Sequence, residues 1–276
     1  MSADFLQSMA IASRERVAKA RVQRGELELM ALARSAPEPT PLKLSGLGFD
    51  LIAEVKLRSP AVGQLDVSGE DIAARANDYA LAGAAAISVL TEPTRFDGEL
   101  SHLEQVAGAL QRRIPVMRKD FLVDPYQVYE ARVAGAGGIL IILRMLEPAQ
   151  VASLLDAAVE LRLFVLLEAF DEADLRFAAA LVRDYATRAR LLVGVNCRDL
   201  ATLQVVPGRL EALAASLPRA VPCVAESGVE HAEDAARLAA AGYDVALVGS
   251  ALMRSGDRIG LARALLAAGR QARRCG

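Results

Sequence analysis

Residues 114–143, IPVMRKDFLVDPYQVYEARVAGAGGILIIL, contain two apolar runs separated by a segment with helical spacing. The first run covers 114–117 and ends abruptly in the charged letters RKD, and the second run covers 138–143. Between them, apolar residues recur at the intervals of an amphipathic helix. The stretch therefore predicts a strand, a helix and a second strand, with charge clustered where the first strand ends.

The same unit recurs along the whole chain. Each apolar run is followed by a segment with helical spacing, and the runs are apolar throughout, as in a parallel sheet that is covered on both faces. Eight such units predict the α/β class and, within it, a (β/α)8 TIM barrel. The predicted strands are 51–55, 85–90, 114–117, 138–143, 163–167, 191–195, 221–225 and 244–248.

A doubly wound open sheet is the rival architecture. It seldom needs so many regular units, and a dinucleotide-binding sheet of this kind carries a GxGxxG turn after its first strand. The corresponding residues, 56–63, read KLRSPAVG and lack that turn. The barrel is therefore favoured.

The segment before the first strand predicts an addition to the barrel. Residues 4–34 show the spacing of one long amphipathic helix, and a Pro-rich connector, SAPEPTPLKL, follows at 35–44. No linker or low-complexity tract divides the rest of the chain. We expect one domain over 1–276, made of an N-terminal extension at 1–46 and a barrel at 47–276.

Composition and charge exclude several classes of protein. Of the 276 residues, 53% are hydrophobic, and the formal net charge of −2 suggests no general affinity for nucleic acid or an anionic membrane. No apolar stretch reaches the roughly 18 residues of a membrane span, and the start lacks the pattern of a signal peptide. Three widely spaced cysteines are expected to be reduced core or tail residues, which predicts a cytoplasmic protein.

The inventory of reactive side chains narrows the chemistry. With two histidines, His102 and His231, both expected on outer helix faces or caps, neither a histidine triad nor a metal site is predicted. Acid–base catalysis is then expected from Lys, Glu or Asp side chains. The substrate site of such a barrel lies at the carboxyl ends of its strands. Polar residues found there are Glu54, Lys56, Lys119, Glu168, Asn196, Glu226 and Ser227.

Two lysines and two carboxylates at one barrel mouth form a candidate acid–base set. Each lysine disfavours the charged form of the other, and nearby carboxylates favour it, so the balance can tune a lysine as a general acid. Solvated strand ends, or a ring of buried salt bridges that holds the barrel together, are the structural alternatives.

The last two strands suggest a phosphate site. The loops after strands seven and eight commonly bind phosphate in these barrels, and glycine lets backbone N–H groups approach an anion closely. Ser227, Gly228, Gly249 and Ser250 are the candidates, with ordinary turns as the alternative. Arg198 suits a carboxylate or phosphate, or pairs with Asp199.

These residues, in this order, resemble the indole-3-glycerol phosphate synthase family over nearly the whole chain. The resemblance is carried by specific motifs, among them LIAEVKLRSP, RKDFLVDPYQVYEAR, LLEAF, VGVNCRDL, AESGV and LVGSALM. It implies a lyase that closes the ring of 1-(2-carboxyphenylamino)-1-deoxyribulose 5-phosphate with loss of CO2 and water. It implies a phosphorylated small-molecule substrate and neither a metal nor an organic cofactor.

The resemblance also assigns roles. Lys119 would be the general acid at the ketone oxygen, Glu168 would stabilise positive charge or take a proton, and Lys56 with Glu54 would serve the dehydration. Asn196 would hold the new hydroxyl or orient Glu54. The phosphate would be bound by Ser59, Gly228, Gly249 and Ser250. The rest of the substrate would be contacted by Ser59, Phe96, Phe121, Leu143, Arg198, Glu226 and Ser227.

Departures from the family pattern keep alternatives open. Ala61 and Val62 replace a common Ser and Lys, and Cys197 replaces a second Asn. The alternatives are a paralogue that acts on a substituted anthranilate, a phosphosugar isomerase, and a non-catalytic phosphosugar-binding barrel. A monomer is expected, with a homodimer as the alternative.

Overall fold

The computed structural model describes residues 2–59, 63–65, 71–199, 202 and 204–275, apart from the side chains of 2–4 and 275. The predictions made for Ala61 and Val62 lie outside these residues, as does the prediction for the side chain of Cys275.

Within the described residues, eight parallel strands close into a barrel, as predicted. The barrel strands are β1 (Asp50–Val55), β4 (Ala86–Leu90), β5 (Val116–Lys119), β6 (Gly138–Ile142), β7 (Phe164–Ala169), β8 (Leu191–Asn196), β9 (Cys223–Glu226) and β10 (Val245–Val248). They pair in chain order, and β1 closes the circle between β10 and β4. A small antiparallel hairpin, β2 (Arg58–Ser59) with β3 (Gly63–Gln64), follows β1. Its strands are too short for any periodic pattern to predict.

Helices cover the outside of the barrel. They are α1 (Ser2–Gln23), α2 (Glu26–Ser35), α3 (Ile72–Ala82), α4 (Pro93–Phe96), α5 (Leu100–Leu110), α6 (Pro125–Val133), α7 (Pro148–Glu160), α8 (Glu172–Tyr185), α9 (Arg209–Leu213), α10 (Ala232–Ala241), α11 (Ser250–Arg254) and α12 (Arg258–Cys275). Short 3-10 turns lie at Leu143–Met145 and Ala214–Ser216. Gly83 and Gly242 end α3 and α10 with φ of 101° and 111°, a conformation that glycine adopts without a steric penalty.

The N-terminal extension corrects one prediction. Residues 4–34 do not form one long helix, because α1 ends at Gln23 and α2 begins at Glu26. Gly25 lies between them with an extended backbone, φ −60° and ψ 145°. Glycine is a poor helix former, and acidic residues in the first turn of α2 favour a new helix start there.

Alternation along the strands builds the core and positions the site. Ile52, Met117, Leu166 and Val224 belong to the apolar cluster inside the barrel, whereas their neighbours pack outward against the helices. Because side chains alternate along a strand, the residue two positions later also faces inward. Those residues are Glu54, Lys119, Glu168 and Glu226. The apolar interior thus ends in a layer of charge at the carboxyl ends of the strands.

A buried ion network anchors α1 to the segment after β5. Asp120 is 2% exposed and accepts hydrogen bonds from Arg16 (2.7 Å), Arg118 (3.1 Å) and the Thr91 hydroxyl (2.8 Å). On the same helix, the Ser13 hydroxyl donates to the Phe121 carbonyl at 2.6 Å. The network therefore couples the extension to the residues that directly follow Lys119.

Replacing Asp120 with alanine is expected to lower the free energy of unfolding by about 3–5 kcal/mol, because two arginines lose their buried partner. Denaturant unfolding of both proteins measures the loss. Asp156→Ala is the matched control, since Asp156 is 57% exposed in its pair with Arg188 and such pairs contribute about 1 kcal/mol or less. A loss below about 1 kcal/mol for Asp120→Ala would contradict the anchoring role.

Candidate active site

A cavity of about 340 Å³ opens at the carboxyl ends of the barrel strands. Strand alternation and barrel closure bring to it side chains that are far apart in the chain. Its walls include all of the predicted site residues except Leu143: Glu54, Lys56, Ser59, Phe96, Lys119, Phe121, Glu168, Asn196, Arg198, Glu226, Ser227, Gly228, Gly249 and Ser250.

Lys119 lies between two carboxylates, with Glu226 on β9 directly across the barrel and Glu168 on β7, two strands away. Its Nζ is 3.1 Å from Glu226 Oε2 and 3.7 Å from Glu168 Oε2. Burial by itself lowers the pKa of Lys119, but Glu168, Glu226 and Glu54 outweigh it and raise the pKa above the ordinary lysine value. Lys119 is therefore a positively charged proton donor at neutral pH, surrounded by groups that stabilise that charge.

Lys56 and Glu54 form a second, separate pair. Lys56 Nζ is 2.6 Å from Glu54 Oε1, and the two side chains are 12% and 4% exposed. Gly249 lies against this pair, because a Cβ there would collide with the Glu54 carboxylate and lie 3.1 Å from Lys56 Nζ. Because Gly249 has no side chain, the Lys56–Glu54 pair has room beside the backbone there.

Asn196 orients Glu168, and this corrects the expectation that it orients Glu54. Its side-chain amide donates to Glu168 Oε1. Its carbonyl oxygen accepts from the Ser227 hydroxyl at 2.9 Å and from the backbone N–H of Arg198 at 3.0 Å. Because two donors hold the carbonyl end, the amide end is directed at Glu168.

Glu226 lies deepest in the charge layer. It is 1% exposed, and its Oε1 has no hydrogen-bond partner among the described residues. That oxygen fits beside the backbone of Gly194, where any Cβ would collide with it. Burial, opposed by Lys119 and reinforced by Glu168 and Glu54, raises the pKa of Glu226 from 4.5 to about 8.

The raised pKa of Glu226 predicts how stability depends on pH. Between pH 4.5 and about 8 the folded protein holds a proton on Glu226 that the unfolded chain releases, so this group makes stability fall as pH rises. The slope is at most about 1.4 kcal/mol per pH unit. Lys119, with its pKa raised, is charged in both states over this range and adds no slope.

Urea unfolding at pH 5, 6, 7 and 8 tests this prediction by comparing the wild type with Glu226→Gln. We expect the difference in unfolding free energy to move in favour of the variant as pH rises. Glu104→Gln, at an exposed position of α5, is the control for a general charge effect. Parallel curves for the wild type and Glu226→Gln would contradict the prediction.

The loops after β9 and β10 form the other end of the cavity. Ser227 and Gly228 have φ of 67° and 70°, which turns the chain sharply after β9. The left-handed conformation is uncommon for serine, and the hydroxyl bond to Asn196 holds it there. Gly249 and Ser250 follow β10. Ser59 of β2 is buried at the same cavity.

An aromatic wall lines the cavity on the side of α1. The rings of Phe96 and Phe121 lie 6.2 Å apart, and Phe5 packs edge-on against Phe121 at 5.9 Å. Leu143 does not belong to this wall. It is 1% exposed in the outer core, whereas Leu140 and Ile142 face the cavity. The prediction for Leu143 was wrong because side chains alternate along β6: Leu140 and Ile142 face the cavity, so the next residue, which starts a 3-10 turn, lies on the outer face.

Some residues that line the cavity were not predicted from the sequence. Phe5 and Leu6 come from α1, and no local pattern indicates that this helix reaches the barrel mouth. Glu230, two residues after Gly228, and Arg254, at the end of the helix that starts at Ser250, also line the cavity. The spacing of four residues between Ser250 and Arg254 on one short helix was a usable signal for Arg254.

The histidines and cysteines lie in structural positions. His102 and His231 take part in capping boxes at the starts of α5 and α10. Cys197 and Cys223 are buried, as predicted. Among the described residues, no group of three His, Cys, Asp or Glu side chains is placed to hold a metal ion. In the same part of the chain, no helix is long and apolar enough to cross a membrane.

Comparisons with solved structures agree with the barrel. The chain superposes on 3-hexulose-6-phosphate synthase from Salmonella typhimurium with a TM-score of 0.63 and 17% identity, covering 81% of this chain and 100% of that one. It also matches thiamine phosphate pyrophosphorylase from Pyrococcus furiosus with a TM-score of 0.57 and 14% identity, over 82% and 97% of the two chains. At such identities the likeness shows the fold alone.

Sequence comparisons are more specific. The chain is 42% identical over 258 residues to indole-3-glycerol phosphate synthase of Leifsonia xyli, covering 92% of this chain and 95% of the relative. The enzyme of the same name from Micrococcus luteus is 40% identical over 258 residues, which cover 91% and 92%. The family model described as indole-3-glycerol phosphate synthase matches residues 6–265. With this match over most of its length, the chain belongs to the indole-3-glycerol phosphate synthase family.

Proposed function

We propose that this member of the indole-3-glycerol phosphate synthase family acts on 1-(2-carboxyphenylamino)-1-deoxyribulose 5-phosphate through the Lys and Glu side chains of the cavity. The carbon–carbon bond closes the five-membered ring, CO2 leaves, and elimination of water gives indole-3-glycerol phosphate. Lys119 carries the proposal, because it combines a positive charge with a position between two buried carboxylates.

The shape of the cavity supports this substrate. An aromatic wall of Phe96 and Phe121 lies on one side, the loops after β9 and β10 lie on another, and the charge layer is at the floor. A substrate with an aromatic ring at one end and a phosphate at the other is matched by these surfaces. We assign the phosphate to Ser59, Gly228, Gly249 and Ser250.

In the first step, Lys119 gives its proton to the ketone oxygen while the ring carbon attacks the ketone carbon. A general acid placed in this way contributes about 10²–10⁴ to the rate. Glu168 and Glu54 keep the lysine charged until transfer, and Glu226, whose raised pKa of about 8 leaves it protonated at neutral pH, can return a proton. Glu226 and Ser227 complete the polar floor under the substrate.

Glu168 then stabilises the positive charge that develops on the substrate as the ring loses its aromaticity. Its hydrogen bond from Asn196 holds the carboxylate at a defined angle, so that no reorganisation is needed when the charge appears. Loss of CO2 returns the electron pair to the ring.

The dehydration is assigned to Lys56 and Glu54. The new hydroxyl leaves as water with a proton from one member of the pair, and the other member removes a proton from the substrate. Their separation of 2.6 Å lets the proton return between turnovers. All proposed steps are proton transfers and carbon bond changes, so we propose neither a metal nor an organic cofactor.

We further propose that the chain works as a single domain over 1–276, as a monomer in the cytoplasm. The anchoring of α1 to Asp120 and Phe121 supports treating the extension at 1–46 as part of the same domain as the barrel at 47–276.

The reaction is tested with purified protein and the unsubstituted substrate, by following indole fluorescence and CO2 release together. We expect one CO2 for each indole product. Folded wild-type protein that binds the substrate but makes no product would contradict the proposal. Turnover restricted to a ring-substituted substrate would favour the specialised paralogue instead.

A further inference from the structure

We propose that Arg254, which pairs with Glu230, binds the substrate phosphate and sets the affinity for phosphorylated ligands. This inference rests on the proposed function, because it adds a side-chain cation to the phosphate site assigned there. Neither residue had a role in the sequence-based predictions.

Arg254 and Glu230 join the two loops that form the phosphate site. Arg254 Nη2 lies 3.2 Å from Glu230 Oε1. Glu230 comes two residues after Gly228 in the loop after β9, and Arg254 ends the short helix that begins at Ser250 after β10. Both side chains line the cavity.

The direction of the Arg254 side chain favours contact with the phosphate. Residues four apart on a helix lie on the same face, so Arg254 lies on the Ser250 face of α11. Helical side chains lean toward the start of their helix, which here is the end at Gly249 and Ser250. The long arginine side chain can therefore reach back over the loop.

The charge balance distinguishes Arg254 from the lysines of the cavity. Lys56 and Lys119 are paired with Glu54, Glu168 and Glu226, which are at most 4% exposed. Glu230, in contrast, is 54% exposed, and Arg254 is 43% exposed. An exposed ion pair contributes about 1 kcal/mol or less, so its arginine is released at little cost.

A phosphate dianion is a stronger partner for this guanidinium than the exposed carboxylate. Arginine can bind phosphate oxygens through two parallel N–H groups, with geometry that a lysine lacks. Ligand entry would then exchange Glu230 for the phosphate. Because Glu230 competes for Arg254 with every anion that enters the cavity, anions that bind weakly are disfavoured.

The experiment titrates inorganic phosphate into ¹⁵N-labelled protein and follows the backbone amides of Gly228 and Gly249. We expect Arg254→Ala to weaken phosphate binding at these amides about tenfold, a change of about 1.4 kcal/mol. Arg254→Lys should recover part of the loss, and Glu230→Gln should bind phosphate twofold to threefold more tightly. Arg176→Ala, which breaks the exposed pair with Glu172 on α8, is the matched control and should bind like the wild type.

Steady-state kinetics provide the second measurement. We expect Arg254→Ala to lower kcat/KM about tenfold, almost entirely through KM, as for a group that binds substrate and transition state equally. Phosphate affinity and KM of Arg254→Ala within twofold of the wild type would overturn the inference. The phosphate titration needs no turnover, so a failure of the proposed reaction leaves it able to support or overturn the role of Arg254.

Discussion

Replacing Lys119 with methionine is expected to lower kcat by about two to four orders of magnitude. Methionine keeps a similar length and an unbranched side chain but has no proton to donate, and general acids contribute about 10²–10⁴. The variant also leaves Glu168 and Glu226 without their shared cation, so the charge layer changes protonation as well. Indole fluorescence under single-turnover conditions measures the loss at the chemical step.

Two further variants show whether the loss reflects proton donation, positive charge or an unspecific effect of removing a lysine. Lys19→Met changes an exposed lysine on α1 and should keep wild-type kcat. Lys119→Arg keeps the positive charge but holds its proton too tightly to donate it. If charge alone matters, Lys119→Arg will retain most of the activity. A kcat for Lys119→Met within tenfold of the wild type would remove Lys119 from the mechanism.

Replacing Glu168 with glutamine is expected to lower kcat by about two to three orders of magnitude, with little change in KM. The amide has the shape of the carboxylate but cannot stabilise positive charge, and losing one preorganised electrostatic contact costs about this much. A change confined to kcat marks an interaction that is made in the transition state. Stopped-flow product formation and substrate binding, measured separately, give the two parameters.

Asn196→Ala provides an independent check on the role of Glu168. If Asn196 acts by orienting Glu168, its removal should cost much less in the background of Glu168→Gln than in the wild type. Glu172→Gln, at an exposed position of α8, is the matched control for the change from acid to amide. Equal and additive losses from Asn196→Ala in both backgrounds would show that the two residues act separately.

Local pattern was sufficient for the strands and for their charged ends. Glu54, Lys119, Glu168 and Glu226 lie at the ends of continuous apolar runs, and that position is visible in the sequence. The sequence pattern was insufficient where the direction of a single side chain mattered. Leu143 was assigned to the cavity, yet it lies beyond the end of β6 and packs in the outer core. A continuously apolar run does not show which of its alternate positions face the inside of the barrel.

The N-terminal extension shows a different limit. Helical spacing over 4–34 was visible, but the break at Gly25 and the reach of α1 to the barrel mouth were not. Phe5 meets Phe121 because Arg16 and Ser13 bind the segment after β5. Those contacts join parts of the chain that no local pattern connects.

The sequence by itself determined the eight alternating units, the charge at the strand ends and the small residues after the last two strands, because each depends on neighbours in the chain. Only the tertiary structure decided which charges pair. Closure of the barrel places Lys119 against Glu168 and Glu226, leaves Lys56 with Glu54, and directs Asn196 at Glu168. The pKa of Lys119 is raised by its carboxylate neighbours against the effect of burial, and the pKa of Glu226 is raised by burial and by Glu168 and Glu54 against the effect of Lys119. These surroundings exist only once strands distant in the chain lie side by side.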